Sequence, residues 1–142
     1  MDIKKILVPV DGSTPSEHAL TEAISMAQVH HAEIIMVTVM DVEQAASEMM
    51  SFSPQTMNYA SLQKEADTEA LIYAKSIPKE IPHTIKALVG VPGPAIVAMV
   101  KEDKPDMIVM GNSGKGALSS LILGSVSQYL IRHVKCPVLI VK

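Results

Sequence analysis

The chain has 142 residues, 48% of them apolar, and a formal net charge of −3 at pH 7, so it can bury a core as one domain over residues 1–142. The slightly acidic balance argues against nucleic acid as a partner, and no apolar run approaches the ~20 residues of a membrane-spanning helix. The single cysteine, Cys136, excludes an internal disulfide and suits a reducing compartment, so we expect a cytoplasmic protein.

Short apolar runs bounded by turn residues predict buried strands. In chain order these runs lie at residues 6–10, 34–40, 84–89, 106–110 and Val138–Val141. Helical patterns separate them from one end of the chain to the other. This alternation predicts an α/β fold, a single doubly wound domain with a parallel sheet and helices on both faces.

The first helical pattern begins with Thr14 as its N-cap, Pro15 at the first helical position and Glu17 closing a capping box. Apolar residues then recur on one face, namely Leu20, Ala23, Ile24 and Ala27. Later helices are predicted over residues 55–76, 95–102 and Ser125–His133, and in the second of these four Tyr59, Leu62, Ala66, Ala70 and Tyr73 share a face. Residues 42–55 show no clean period, and we interpret them as a mobile loop with at most a short helix.

A glycine-rich stretch follows the fourth predicted strand. Residues 111–127 read GNSGKGALSSLILGSVS and place hydroxyls at the start of the next predicted helix. Glycines let backbone N–H groups approach a phosphate closely, and a helix N-terminus adds partial positive charge. The spacing fits neither the Walker A pattern nor the dinucleotide fingerprint. The residues alone therefore leave open both a phosphate site and a plain flexible loop.

The spacing Gly111-x2-Gly114-x9-Gly124-Ser125 resembles the nucleotide motif of the universal stress protein family, in its ATP-binding branch. Three further segments resemble that family in the same order along the chain: ILVPVDGS at 6–13, GVP at 90–92 and CPVLIV at 136–141. The resemblance implies a Rossmann-like sheet of order 3-2-1-4-5. It also implies ATP with Mg²⁺ as ligand, and a homodimer that pairs the strands Val138–Val141 across a two-fold axis.

This strand order places the ligand cleft between the first and fourth strands, where the Asp11 and Gly111 turns converge. Asp11 either contacts ribose hydroxyls or Mg²⁺, or forms an Asx turn, and we favour the first because Thr14 already supplies the cap. Val39 matches an adenine-contacting position of the family. The expected nucleotide contacts are Pro9, Val10, Asp11, Val39, Met110, Gly111, Asn112, Gly114, Lys115, Gly116, Gly124, Ser125, Val126 and Ser127.

Some positions depart from the family pattern or admit a second interpretation. Asn112 and Ser113 stand where basic residues or histidine are common in the family, and Lys115 either compensates as a point charge or is a solvated loop lysine. Asp41 closes the second predicted strand and could reach the cleft, but we favour its interpretation as a solvated turn residue. Asp106 begins its predicted strand, so it lies at the end of the sheet away from the cleft.

The expected function is a nucleotide-dependent regulatory or stress-response protein that binds ATP. An alternative is a slow ATPase or a self-phosphorylating enzyme with Ser113, Ser125 or Ser127 as acceptor, although no Walker lysine, kinase catalytic-loop pattern or base to orient water is found. A second alternative is a partner-binding module with no nucleotide, against which the intact glycine and serine set argues.

Overall fold

The structure, a computed structural model, describes residues 1–52, 58–114 and 122–142 and, for residues 49–52, the backbone alone. Strands and helices alternate throughout this part of the chain. They are β1 Lys5–Pro9, α1 Thr14–His30, β2 Glu33–Asp41, α2 Val42–Phe52, α3 Tyr59–Ala74, β3 His83–Gly90, α4 Pro92–Asp103, β4 Met107–Gly111, α5 Ser125–His133 and β5 Val138–Val141.

The sheet has five parallel strands in the order β3-β2-β1-β4-β5, which confirms the predicted fold class and strand order. Leu7 of β1 is in register with Ile35 of β2 on one side and with Ile108 of β4 on the other. Strands are added on one side of β1 up to β3 and on its other side from β4 onward. The connections that leave the carboxyl ends of β1 and β4 therefore run to opposite faces of the sheet and leave a crevice between them.

Alternate residues of the strands build two separate cores. Ile6 and Val8 of β1 face α1 and α3, whereas Leu7 faces α4 and α5. The predicted face of α1 is confirmed, because Leu20, Ala23 and Ala27 are buried and Ile24 packs against them. Since strands buried on both faces cannot show a polar alternation, they read as continuous apolar runs in the sequence.

Several sequence predictions are corrected by the structure. Residues 42–52 form the helix α2 rather than a loop, because Asp41 Oδ1 accepts hydrogen bonds from the backbone N–H groups of Glu43 at 2.9 Å and Gln44 at 3.3 Å. This is a side-chain cap at the end of β2. The helix α3 begins at Tyr59, after the N-cap Asn58, rather than at residue 55.

The N-cap of α1 is Ser13 and not Thr14. Ser13 has extended backbone angles, and its Oγ accepts a hydrogen bond from Ser16 N–H at 3.3 Å, whereas Thr14 is exposed within the first turn. The predicted capping box of Thr14 with Glu17 is therefore wrong, because the residue three positions after the N-cap is Ser16. On α3 the buried stripe is Ala66, Ala70 and Ala74, and Tyr59, predicted to share the buried face, is 62% exposed. The small alanine side chains allow that helix to lie close to the sheet.

Among the residues that the structure describes, no helix is both long enough and apolar enough to cross a membrane.

Candidate functional site

A cleft of about 1300 Å³ opens at the carboxyl ends of β1, β2 and β4. The turns that follow β1 and β4 form its floor, the start of α5 forms one wall, and α2 and α3 form the opposite wall. Its volume exceeds the few hundred Å³ that small-ligand pockets commonly enclose, so a nucleotide would fit.

The turn after β1 is held by its own side chains. Asp11 Oδ1 accepts a hydrogen bond from Ser13 N–H at 2.9 Å, which is an Asx turn, and Gly12 takes a positive φ of 82° that favours glycine. The Asx turn weighed in the sequence analysis is therefore present. Asp11 Oδ2 is directed toward the second turn, since a Cβ added at Gly114 would lie 2.8 Å from it.

The two turns meet, as the sequence analysis predicts. Ser13 Oγ lies 3.4 Å from the carbonyl oxygen of Ser113, one hundred residues later in the chain, and donates a hydrogen bond to it. Gly111, the last residue of β4, packs against the start of α1: a Cβ there would lie 2.8 Å from the carbonyl carbon of Pro15 and 2.9 Å from Ser16 N. The absence of a side chain at 111 lets α1 begin directly above the end of β4.

The backbone of Asn112 connects three elements around the cleft. Its N–H donates to the carbonyl of Val141 in β5 at 2.9 Å, and its carbonyl accepts from Gly124 N–H at 2.7 Å. Ser127 Oγ, which is buried, donates to the carbonyl of Gly111 at 3.0 Å. These bonds fix the start of α5 beside the end of β4.

The first turn of α5 presents backbone donors to the cleft. The first intrahelical hydrogen bond joins Gln128 N–H to the carbonyl of Gly124, so the N–H groups of Ser125, Val126 and Ser127 precede it. The N-cap, Gly124, has no side chain to occupy them. A helix start of this kind favours an anion.

An apolar wall faces these donors across the cleft. Val39 and Met40, at the end of β2, line it and are half-buried, as is Leu62 of α3. The buried Ile96 of α4 completes this wall. Such a wall suits the flat faces of a purine ring, as expected for Val39.

Acidic side chains give the α2–α3 side of the cleft a negative potential. Glu48, Glu65 and Glu69 line it. Burial raises the pKa of the Tyr73 hydroxyl above its ordinary value, and the nearby charges of Glu69 and Asp11 raise it further.

Among the described residues, no group of three or more His, Cys, Asp or Glu side chains could hold a metal ion. Asp11 fits a Mg²⁺ whose other ligands are phosphate oxygens and water, since Mg²⁺ is commonly bound by one or two carboxylates plus substrate phosphates.

The structure brings together nearly all of the predicted contact residues that it describes. These cleft-lining residues are Pro9, Val10, Asp11, Val39, Met110, Gly111, Gly114, Gly124, Ser125, Val126 and Ser127. Asn112 lies behind the floor, 5% exposed, and acts through its backbone. Lys115 and Gly116 lie outside the described residues. Asp106 is far from the cleft, as predicted, with Oδ2 accepting from the N–H groups of Lys4 and Lys5 at 2.8 Å.

Sequence reasoning missed the wall formed by α2 and α3 and two buried hydroxyls of the floor. Ser16 Oγ lies 3.3 Å from Asp11 N–H and accepts its hydrogen bond, and Thr38 Oγ1 donates to the carbonyl of Val10 at 3.1 Å. Asp41, taken for a solvated turn residue, lines the cleft and caps α2. The pattern Asp41-x-x-Gln44 is a capping signal that would have predicted this helix.

Comparison with known proteins agrees with this geometry. A sequence model of the universal stress protein family matches residues 2–142. A universal stress protein of Methanocaldococcus jannaschii, MJ0531, is 37% identical over 141 residues, which cover 98% of this chain and 82% of that protein. The solved structure of the hypothetical protein MJ0577 has a TM-score of 0.82 at 28% identity and covers 100% of this chain and 97% of its own. A universal stress protein solved in complex with cAMP has a TM-score of 0.61 at 27% identity, with coverages of 99% and 98%.

Proposed function

This chain belongs to the universal stress protein family, and on that premise we propose that it binds ATP, together with Mg²⁺, in the cleft between β1 and β4. Its role is then that of a nucleotide-dependent regulatory protein of the stress response. The complex of a related universal stress protein with cAMP supports an adenine nucleotide as the ligand class.

The observation that carries the proposal is the meeting of two distant turns beneath the start of α5. Gly114 lies against Asp11, Ser113 against Ser13, and Gly124 against Asn112 and Ser113. Each contact needs a glycine or a backbone group at the point of approach, and together they leave the α5 donors directed into the cleft. A plain flexible loop would not require this arrangement.

Each part of the cleft has a distinct task in this proposal. The N–H groups of Ser125, Val126 and Ser127 donate to phosphate oxygens, with the helix dipole adding to the attraction. Asp11 Oδ2 accepts from a ribose hydroxyl or ligates Mg²⁺. Val39 packs against adenine. The bound Mg²⁺ neutralises phosphate charge, and the protein's own groups orient the ligand.

A glycine pair tests the proposal by calorimetric titration with ATP and Mg²⁺. A Cβ at Gly124 would lie 3.1 Å from Ser113 Cα and 3.4 Å from the carbonyl oxygen of Asn112, so Gly124→Val displaces the turn and should abolish binding. At Gly90, at the end of β3, a Cβ meets nothing within 4 Å, so Gly90→Val should bind ATP normally. No heat from the unmodified protein at millimolar ATP would contradict the proposal.

Two further features belong to the same proposal. The edge strand β5 pairs with the β5 of a second copy to form a homodimer, because an open strand edge is a template for pairing. The protein works in the cytoplasm, where its single cysteine, Cys136, stays reduced.

A further inference from the structure

The charge of the cleft is opposite to what a site for a polyanion ordinarily has. Among the described residues that line it are the carboxylates of Asp41, Glu48, Glu65 and Glu69, and none of these described lining residues is Lys, Arg or His. The ligand proposed above carries several negative charges of its own. The question is how such a cleft accepts it.

The carboxylates of the α3 wall are not neutralised within the described part of the chain. The salt bridges found there join Lys4 with Asp2, Lys5 with Glu33 and Lys86 with Asp103, all outside the cleft. Glu69 Oε2 accepts only a long hydrogen bond, 3.5 Å, from the Tyr73 hydroxyl. Burial is the main cause of the raised pKa of that hydroxyl, and the negative charge of Glu69 raises it further.

The backbone donors alone would not offset this potential for a highly charged ligand. A helix N-terminus acts as about half a positive charge and its effect fades within one turn. Each phosphate added to a nucleoside adds repulsion from every carboxylate in the cleft, whereas an uncharged nucleoside adds none. A divalent cation on the phosphates removes most of that repulsion.

We infer that the cleft selects its adenine ligand by net charge. Without a divalent cation, ATP binds more weakly than AMP, and a divalent cation restores ATP. This inference rests on the proposed function and specifies the ligand class: the metal complex of a nucleoside triphosphate or a nucleotide of low charge. The α3 carboxylates Glu65 and Glu69 act as the specificity determinants.

Calorimetric titrations of the full chain with adenosine, AMP and ATP, each in EDTA and in excess Mg²⁺ at low salt, test the inference. In EDTA we expect ATP to bind at least about tenfold more weakly than AMP, and Mg²⁺ to remove that difference. Tight binding of ATP in EDTA, equal to that of AMP, would overturn the inference while leaving the proposed function intact. If adenosine, AMP and the Mg²⁺ complex of ATP all fail to bind, the proposed function itself is overturned.

Variants that neutralise glutamates test whether Glu65 and Glu69 cause the selectivity against metal-free ATP. The pair Glu65→Gln and Glu69→Gln should strengthen ATP binding in EDTA by about tenfold and change adenosine binding far less. The matched pair Glu22→Gln and Glu80→Gln removes the same net charge from exposed positions that do not line the cleft, and should change neither ligand by more than about twofold. Equal effects of the two pairs would assign the selectivity to the overall charge of the protein and overturn the assignment to Glu65 and Glu69.

Discussion

At the scale of single residues, position 111 requires glycine because it packs against the start of α1, a helix distant in the sequence. Both the carbonyl carbon and the Cβ of Pro15 would lie 2.8 Å from a Cβ at 111. Its φ lies outside the left-handed region, since Gly12 is the glycine with positive φ among the described residues. The glycine-rich stretch therefore contains one glycine that is required for the packing of α1 against β4.

Replacing Gly111 by alanine should destabilise the protein. The added methyl group would overlap backbone atoms of Pro15 and Ser16, which cannot rotate away as a side-chain tip does. Overpacking of this kind costs about 1–3 kcal/mol, and urea unfolding would measure it as a lower midpoint at unchanged slope. Gly90→Ala is the control, because the Cβ has open space there and the loss of unfolded-state freedom should leave stability unchanged or raised by up to about 1 kcal/mol. Equal midpoints for the two variants would contradict the packing role of Gly111.

At the scale of elements, the start of α1 couples a helix cap to the geometry of the cleft. Ser13 Oγ accepts from Ser16 N–H inside the helix and donates to Ser113 in the other turn. Its side chain is 9% exposed, so water has little access to replace either bond. A single hydroxyl thus stabilises α1 and holds the two cleft turns together.

Ser13→Ala should therefore lose both stability and ligand affinity. Loss of an N-cap costs about 0.5–2 kcal/mol, and the turn at Ser113 loses one of its fixed contacts. Thermal unfolding and ATP titration on the same sample would measure the two effects. Thr14→Ala is the matched control, because Thr14 is exposed within the first turn and should change neither quantity appreciably. A larger loss for Thr14→Ala than for Ser13→Ala would place the cap where the sequence pattern predicts it.

The elements differ in how far the sequence predicts them, and the differences have physical causes. The bounds Ser125–His133 and Val138–Val141 follow from local signals, a glycine before a helical pattern and an apolar run after a proline, and both are confirmed. Ser13 and Thr14 are adjacent hydroxyl residues that are both favoured at N-caps, and Ser13 alone of the two makes the contact with Ser113. The helix α2 is not predicted as a regular helix because residues 42–55, taken together, show no clean apolar period.

The candidate site also has parts that the sequence predicts and parts that it does not. Its floor is encoded in short motifs around Asp11, Gly111 and Gly124, and these were predicted. Its acidic wall comes from α2 and α3, whose glutamates look like solvated helix residues in the sequence. Only the packing of α3 against β2 and β3 places Glu65 and Glu69 beside the cleft. Such tertiary placement leaves no local sequence signal.

At the scale of the whole molecule, Asn112 is one of the links between the cleft and the sheet edge. Its N–H donates to the carbonyl of Val141 at the end of β5, and its carbonyl accepts from Gly124 N–H at the start of α5. Two hydrogen bonds therefore connect the start of α5 with the edge strand. The edge strand is where the proposed homodimer forms.

A charge on the edge strand should separate the proposed dimer. Leu139, in the middle of β5, is 37% exposed although it is a large apolar residue. Leu139→Lys places a positive charge on each of two strands that must pair with each other, and lysines on strand edges oppose such pairing. We expect the dissociation constant of the dimer to rise by about tenfold or more in sedimentation velocity, equivalent to about 1.4 kcal/mol.

The control for this experiment is Val29→Lys on α1. Val29 is 75% exposed, so the substitution adds the same charge without touching the sheet edge, and the dimer should persist. If the unmodified protein is already monomeric at tens of micromolar, or if both variants dissociate equally, β5 is not the pairing surface. If only Leu139→Lys dissociates, ATP titration of that monomer shows whether the cleft binds without its partner.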